Sequence, residues 1–165
     1  LETKGSKKTR KKPQFLLHAC STVFLRRGPS LTDQKKNGVP SGGKAGENTW
    51  GFPGGPQVTG EKISETARRE LREEIGKEAI VHLSNLVVGV RENLIPPWFV
   101  PHLTIVIEGI YQSGTIEVVE LDKSIVWQWF PLTNLPTPLF SGIGELINNY
   151  LNSESRIVTD WQIEK

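Results

Sequence analysis

Gly55-Pro56-Gln57-Val58-Thr59-Gly60-Glu61 is followed, seven residues on, by Arg69-Glu70-Leu71-Arg72-Glu73-Glu74-Ile75-Gly76. Glu70, Glu73 and Glu74 stand at i, i+3 and i+4, so on a helix all three carboxylates leave from one face. Like charges at this spacing repel, and a surface helix gains nothing from them. A divalent cation between them removes the conflict. Oxygen ligands at this density suit Mg²⁺ or Mn²⁺, ions that also bind substrate phosphates. Ile63, Ala67, Leu71 and Ile75 repeat every four residues beside the glutamates, which predicts a helix from about 63 to 75 with a buried stripe. Ser64, or Thr59 with Gly60, is the candidate cap at its start, and Gly76 is the stop at its end. Upstream, Asn48-Thr49-Trp50-Gly51-Phe52-Pro53-Gly54-Gly55 reads as a short strand running into glycines that allow close backbone approach.

The same residues match the pattern G-x5-E-x7-R-E-U-x-E-E-x-G-U, with U a bulky aliphatic residue, and on that ground the chain resembles the Nudix hydrolases. Gly55, Glu61, Arg69, Glu70, Leu71, Glu73, Glu74 and Gly76 fall in place, and only Lys77 departs, at a position that packs rather than reacts. The resemblance implies an α/β fold, an α/β/α sandwich with a mixed central sheet. It also implies Mg²⁺- or Mn²⁺-dependent hydrolysis of a nucleoside diphosphate linked to a further group. By resemblance, Glu73 and Glu74 are the first choices for metal ligands, Glu70 is a ligand or the general base, and the Gly55 carbonyl completes the shell. Glu61 would pair with Arg69 and hold the loop shut over the helix. Some members of the family recruit a further acid from another loop; Glu120 is the candidate here, with Asp122 and Glu117 behind it, against the plain reading of an ordinary acidic loop.

Past this box, Trp127-Gln128-Trp129-Phe130-Pro131-Leu132, Leu135-Pro136 and Leu139-Phe140-Ser141-Gly142-Ile143 resemble the second half of small MutT-type members. The likeness is greatest to the branch of the animal thiopurine-nucleotide diphosphatase and the small cytosolic plant enzymes. That implies a (d)NTP or oxidised purine dNTP as substrate and a part in nucleotide pool sanitisation. Phe52 and Phe140, with Trp50, are candidates for stacking a base, and each would equally serve as core. Gly54, Gly55 and Gly142 are candidate substrate contacts through their backbone. His102 would touch base or phosphate, or make a structural hydrogen bond. Arg27, with Arg26, ends a strand near the expected phosphate site. Ser141 stands where the branch often has tryptophan. His102 and Thr104 are one residue closer than the branch's paired strand positions, which on a strand changes the face.

The rest of the chain sets outer bounds. Its 165 residues suit one domain with a substantial core, and no apolar run approaches membrane-spanning length. Cys20 is the single cysteine, which excludes a disulfide framework and a cysteine metal site and fits a reducing compartment. The expected location is cytoplasmic, with nucleus and organelle left open. Methionine is absent even at position 1, as in a processed or trimmed chain.

The formal charge of +2 conceals an asymmetry: Lys4, Lys7, Lys8, Arg10, Lys11 and Lys12 oppose only Glu2, and the remainder is net negative. Residues 1–13 therefore read as a basic, disordered arm that would alternatively serve as an address or contact RNA or a large assembly. Residues 14–152 read as the Nudix domain, interrupted by a long loop at 28–48 that is either disordered or a lid, and 153–165 as a tail. Strands are expected at 15–20, 22–27, 81–90, 103–111 and 125–130, and a second helix at 138–151. Trp127 and Trp129 would also suit a homodimer interface. The competing reading of the whole chain is a Nudix fold kept as a binding or scaffold module; the intact carboxylate set argues against it.

Overall fold

The computed structural model describes residues 18–27, 41–43, 46–95, 100–121, 124–131, 134–140, 142–152 and 157–159. The elements run β1 (His18–Arg27), β2 (Ser41–Gly43), β3 (Gly46–Gly51), β4 (Gly54–Pro56), α1 (Ile63–Ile75), β5 (Ile80–Ile95), β6 (Val100–Ser113), α2 (Ile143–Leu151) and β7 (Ile157–Thr159). Five strands form one sheet in the order β4-β1-β6-β5-β7, and β2 and β3 form a separate hairpin. β1 runs parallel to β6 and antiparallel to β4, while β5 is antiparallel to β6 and parallel to β7, so the sheet is mixed.

Strand alternation divides β1 between two cores. Val23 and Leu25 face α1 and pack with Ala67, Leu71, Ile75 and Ile107. Phe24 faces the other way, toward α2, with Val88, Val106, Leu146, Ile147 and Tyr150. A helix on each face of a mixed sheet gives the α/β/α sandwich expected from the sequence. The stripe Ala67, Leu71, Ile75 is buried as its four-residue period requires. No helix among the described residues is long and apolar enough to cross a membrane.

The structure corrects several expectations. α1 is capped by Lys62, not by Ser64 or Thr59: the Lys62 N–H donates to the Glu65 carboxylate at 2.7 Å, the reciprocal bond of a capping box. Gly76 does end the helix, with φ of 93°. Residues 125–130 form no strand. Trp127 and Trp129 do share a side, but they pack from outside the sheet against the core under α1, and Trp129 meets Tyr111 edge-on. Both rings are partly buried against their own chain.

The second helix starts at Ile143 rather than 138. The preceding residues pair with β3 instead: Trp50 N–H donates to the Pro138 carbonyl at 2.9 Å and Phe140 N–H to the Trp50 carbonyl at 2.8 Å. Gly142 then turns the chain with φ of 73°, a conformation that favours glycine. The hairpin of β2 and β3 occupies part of the expected 28–48 loop, and β7 adds three residues of the expected tail to the sheet. The arm 1–13 and residues 28–40 lie outside the described residues.

Ile75 has no exposed surface, whereas Ile80, five residues on, is half exposed. Ile75→Ala should lower the unfolding free energy by about 2–5 kcal/mol. Ile80→Ala should change it by less than about 0.5 kcal/mol. Denaturant melts of the two variants check the assignment of the core.

Candidate active site

α1 packs on the Val23 and Leu25 side of β1, and β4 pairs with the start of that strand. The register sets Gly54 opposite Thr22 and Gly55 opposite Ser21, which carries the glycine turn across the middle of α1. Loop 56–61 then has to return to the start of the helix, and one side chain holds it. Arg69 Nε donates to Glu61 Oε1 at 2.9 Å, and Nη2 donates to Glu61 Oε2 at 3.2 Å and to the Pro56 carbonyl at 2.9 Å. The second Glu61 oxygen also accepts from Val58 N–H at 3.2 Å and Thr66 Oγ1 at 2.9 Å. The Arg69 hydrogen bond, followed by those from Val58 and Thr66, holds the Glu61 carboxyl down at about 2.

The remaining nitrogen, Arg69 Nη1, reaches two of the clustered carboxylates: Glu70 Oε1 at 2.6 Å and Glu73 Oε2 at 3.0 Å. Glu70 is 6% exposed, and its carboxylate lies directly against Gly55, where a Cβ would come within 2.5 Å of it. Burial pushes the Glu70 carboxyl up; Arg69 opposes this, and repulsion from Glu73 and Glu120 adds to it. Glu74 points to the glycine turn and accepts the Gly54 N–H at 3.0 Å. Glu73 is about half exposed.

The donor chemistry fits a hard divalent cation. Glu70, Glu73, Glu74 and Glu120 offer only oxygen, and Glu70 is a buried acid among like charges, the setting a cation relieves. In the arrangement described, no three acidic, histidine or cysteine side chains among the described residues already converge on one point. Glu70 and Glu73 instead share Arg69 Nη1.

The other candidates fall on the α2 side. Phe52 packs edge-on to Phe24 with centroids 5.4 Å apart, and His102 shares the face of Val106 by strand alternation. Phe140 and Gly142 meet a residue that the sequence reading passed over, Arg91. This arginine is 3% exposed, lies 5.5 Å from the Phe140 ring centroid, and fills the space a Cβ would need at Gly142. Its signal was a cation within Val88-Gly89-Val90-Arg91, an otherwise apolar strand segment. Arg26 is not available to a phosphate, since it is buried in an ion pair with Glu108 at 2.5 Å. Arg27 is the last residue of β1, in register with Tyr111 of β6.

Two outcomes follow. Gly55→Ala must displace the Glu70 carboxylate and should lower both activity and melting temperature, whereas Gly60→Ala, with open space at its Cβ, carries only the penalty of its φ of 94°. Glu61 stabilises the fold fully above its usual carboxyl value of 4.5, and this contribution is lost as pH falls toward about 2. Chemical melts across that window should therefore show a shallower acid-side loss for Glu61→Gln than for the unsubstituted protein.

Comparison with known proteins agrees with this geometry. The model of the family described as NUDIX domain matches residues 19–150. Among solved structures, the chain is similar to a MutT NUDIX hydrolase from Burkholderia pseudomallei, with 20% identity and a TM-score of 0.65 over 81% of this chain and 97% of that one. It is also similar to an ADP-ribose pyrophosphatase from Streptococcus suis, at 16% identity and a TM-score of 0.59, covering 87% and 98% of the two chains. A C. elegans Ap4A hydrolase gives 15% identity and a TM-score of 0.59, covering 82% and 96%. With the box on α1, the glycine turn against Glu70 and a family match over most of its length, the chain belongs to the Nudix hydrolase family.

Proposed function

We propose that this Nudix hydrolase acts on a nucleoside diphosphate linked to a further group. Its preferred substrates are (d)NTPs or oxidised purine dNTPs, from which it releases NMP and pyrophosphate in the clearance of the nucleotide pool. The observation that carries the reading is Glu70, buried against Gly55 with Glu73 and Glu74 on the same stretch of α1. A purely structural module gains nothing from an acid held in this like-charged, desolvated setting.

Glu73 and Glu74, with Glu70 and the Gly55 carbonyl, would hold Mg²⁺ or Mn²⁺, and Glu120 would add a further oxygen. Bound there, the cation would neutralise the phosphate charge and polarise the attacking water. Water oxygen attacks phosphorus, the bridging P–O bond breaks, and the departing phosphate carries the electron pair away. Glu70 is either a ligand or the base that takes the proton of that water. Arg69 keeps loop 56–61 closed on the helix, and Gly54 N–H orients Glu74. Phe52, Phe140, Gly142 and His102 on the α2 side provide the surface for the base.

The likeness to the thiopurine-nucleotide diphosphatase branch supports a purine triphosphate. The similar proteins named for ADP-ribose and Ap4A make those two the closest rivals, and a prenyl diphosphate is a third. A panel of 8-oxo-dGTP, the ordinary dNTPs, ADP-ribose, Ap4A and geranyl diphosphate, assayed with Mg²⁺, separates them. Glu73→Gln should lower kcat at least about a hundredfold, as expected when a partner of the transition-state charge is lost. Metal titration of Glu70→Gln distinguishes its two roles, since loss of a base spares binding and loss of a ligand weakens it. Silence across the panel in a protein that binds no Mn²⁺ would favour the scaffold reading instead.

A further inference from the structure

Arg91 stands on the α2 side of the sheet. Pairing sets Gly89 opposite Val106 and Arg91 opposite Thr104, and Val106 belongs to the core under α2. The two-residue period of a strand turns Thr104 and Arg91 the same way. Thr104 is in turn the partner of Cys20, and Cys20 of Pro56. Arg91 therefore lies on the row of the sheet that ends at Pro56, about 14 Å away at three strand spacings. Pro56 is the residue whose carbonyl Arg69 holds, so one row joins Arg91 to the hydrolytic loop.

The Arg91 side chain is 3% exposed and packs against Gly142, where a Cβ would come within 2.6 Å of its Cδ and 3.0 Å of its Cζ. Gly142 is the N-cap of α2. A cation there meets the positive end of the helix dipole, and burial has already stripped its hydration. An apolar side chain would fill the same space without either cost. A ring face attracts the charge instead: Arg91 Cζ lies over Phe140, 5.5 Å from its centroid.

The backbone of Phe140 is fixed by other partners. Its N–H donates to the Trp50 carbonyl at 2.8 Å, and its carbonyl accepts the Ile143 N–H at 3.1 Å. Such bonds locate a residue but leave its ring a choice of rotamers. The cation over the ring narrows that choice. Phe140 is partly exposed, and a cation on one face of the ring leaves the other for a planar base.

We infer that Arg91 is a positioning residue of the base surface: its buried guanidinium, set over Phe140 and against Gly142, holds the aromatic ring where a purine stacks on it. This rests on the nucleotide reading proposed above. It gives that reading a residue that acts on affinity for the base and leaves the diphosphate chemistry alone.

The test is hydrolysis of dGTP and 8-oxo-dGTP, read as KM and kcat, beside inhibition by inorganic tripolyphosphate, which has the phosphates and no base. Arg91→Met keeps an unbranched side chain and removes the charge. It should raise KM for both nucleotides about tenfold, the scale of a desolvated cation–π contact, with kcat and the tripolyphosphate inhibition constant unchanged. Arg91→Lys keeps a cation over the ring and should recover part of the loss. Phe140→Leu should raise KM as well, and adding Arg91→Met to it should cause no further rise. Ile147→Val loosens the same core under α2 without removing charge or ring, and should lower the melting temperature with KM unchanged. Unchanged KM in Arg91→Met, an equal weakening of tripolyphosphate, a full further rise in the double variant, or an equal rise in Ile147→Val would each overturn the assignment. An unsubstituted protein that hydrolyses neither nucleotide overturns the nucleotide reading itself, and this inference with it.

Discussion

One guanidinium carries the constraint on which the site depends. Arg69 bonds Glu61 through two nitrogens, Pro56 through one, and Glu70 and Glu73 through its third. The first set closes a loop on a helix; the second neutralises two acids that would otherwise repel. A lysine would supply the charge without the fixed fork that reaches loop and helix together. Because Glu70 is almost fully buried, the pairing is not an ordinary surface ion pair worth a few tenths of a kcal/mol. Removing Arg69 would leave a desolvated carboxylate without this cation, the costly case among charge deletions.

The sheet makes that closure geometrically available. α1 is placed by its apolar stripe against Val23 and Leu25, and the glycine turn is placed by the pairing of β4 with β1. The two placements are independent, and they meet where the Glu70 carboxylate touches Gly55. Any side chain at 55 would force them apart, so glycine serves here for its lack of volume. The opposite face of β1 builds a second environment, where Phe24 packs against Phe52 and Tyr150 under α2. One strand thus backs both halves of the proposed site, the diphosphate chemistry on one face and the aromatic surface on the other.

How much of this the sequence disclosed follows from how local each feature is. Helix period, the three acids and the Glu61–Arg69 spacing lie within a short stretch, where one rule of geometry reads them all. The fold class and the extent of α1 followed. Lys62 escaped as a cap because its side chain does not announce the role; the Glu65 carboxylate does the capping. Trp127-Gln128-Trp129 alternates as a strand does, but alternation reports only that two rings face one surface, and here that surface is helix and core rather than a ladder. Pro138, Leu139 and Phe140 have helical pattern, yet pairing with Trp50 claims their backbone. Arg91 was hidden for a similar reason. Its significance lies in Phe140 and Gly142, some fifty residues away, and a pattern within one strand cannot reveal it.

The acids of the site are held in two physically different ways. Glu70 and Glu73 are held by a cation, which orients them but also neutralises them. Glu74 accepts the Gly54 N–H on its carboxylate and the N–H groups of Val119 and Trp127 on its carbonyl, neutral donors that orient it. A divalent ion bound as proposed would meet one carboxylate already oriented by neutral donors. It would compete with Arg69 at Nη1, the nitrogen that does not close the loop. Nε and Nη2 keep Glu61 and Pro56 whether or not Nη1 gives up its partners, so exchange of charge partners at the acids need not open the loop. The division of labour within one arginine lets a repulsive cluster stay folded and still remain open to a metal.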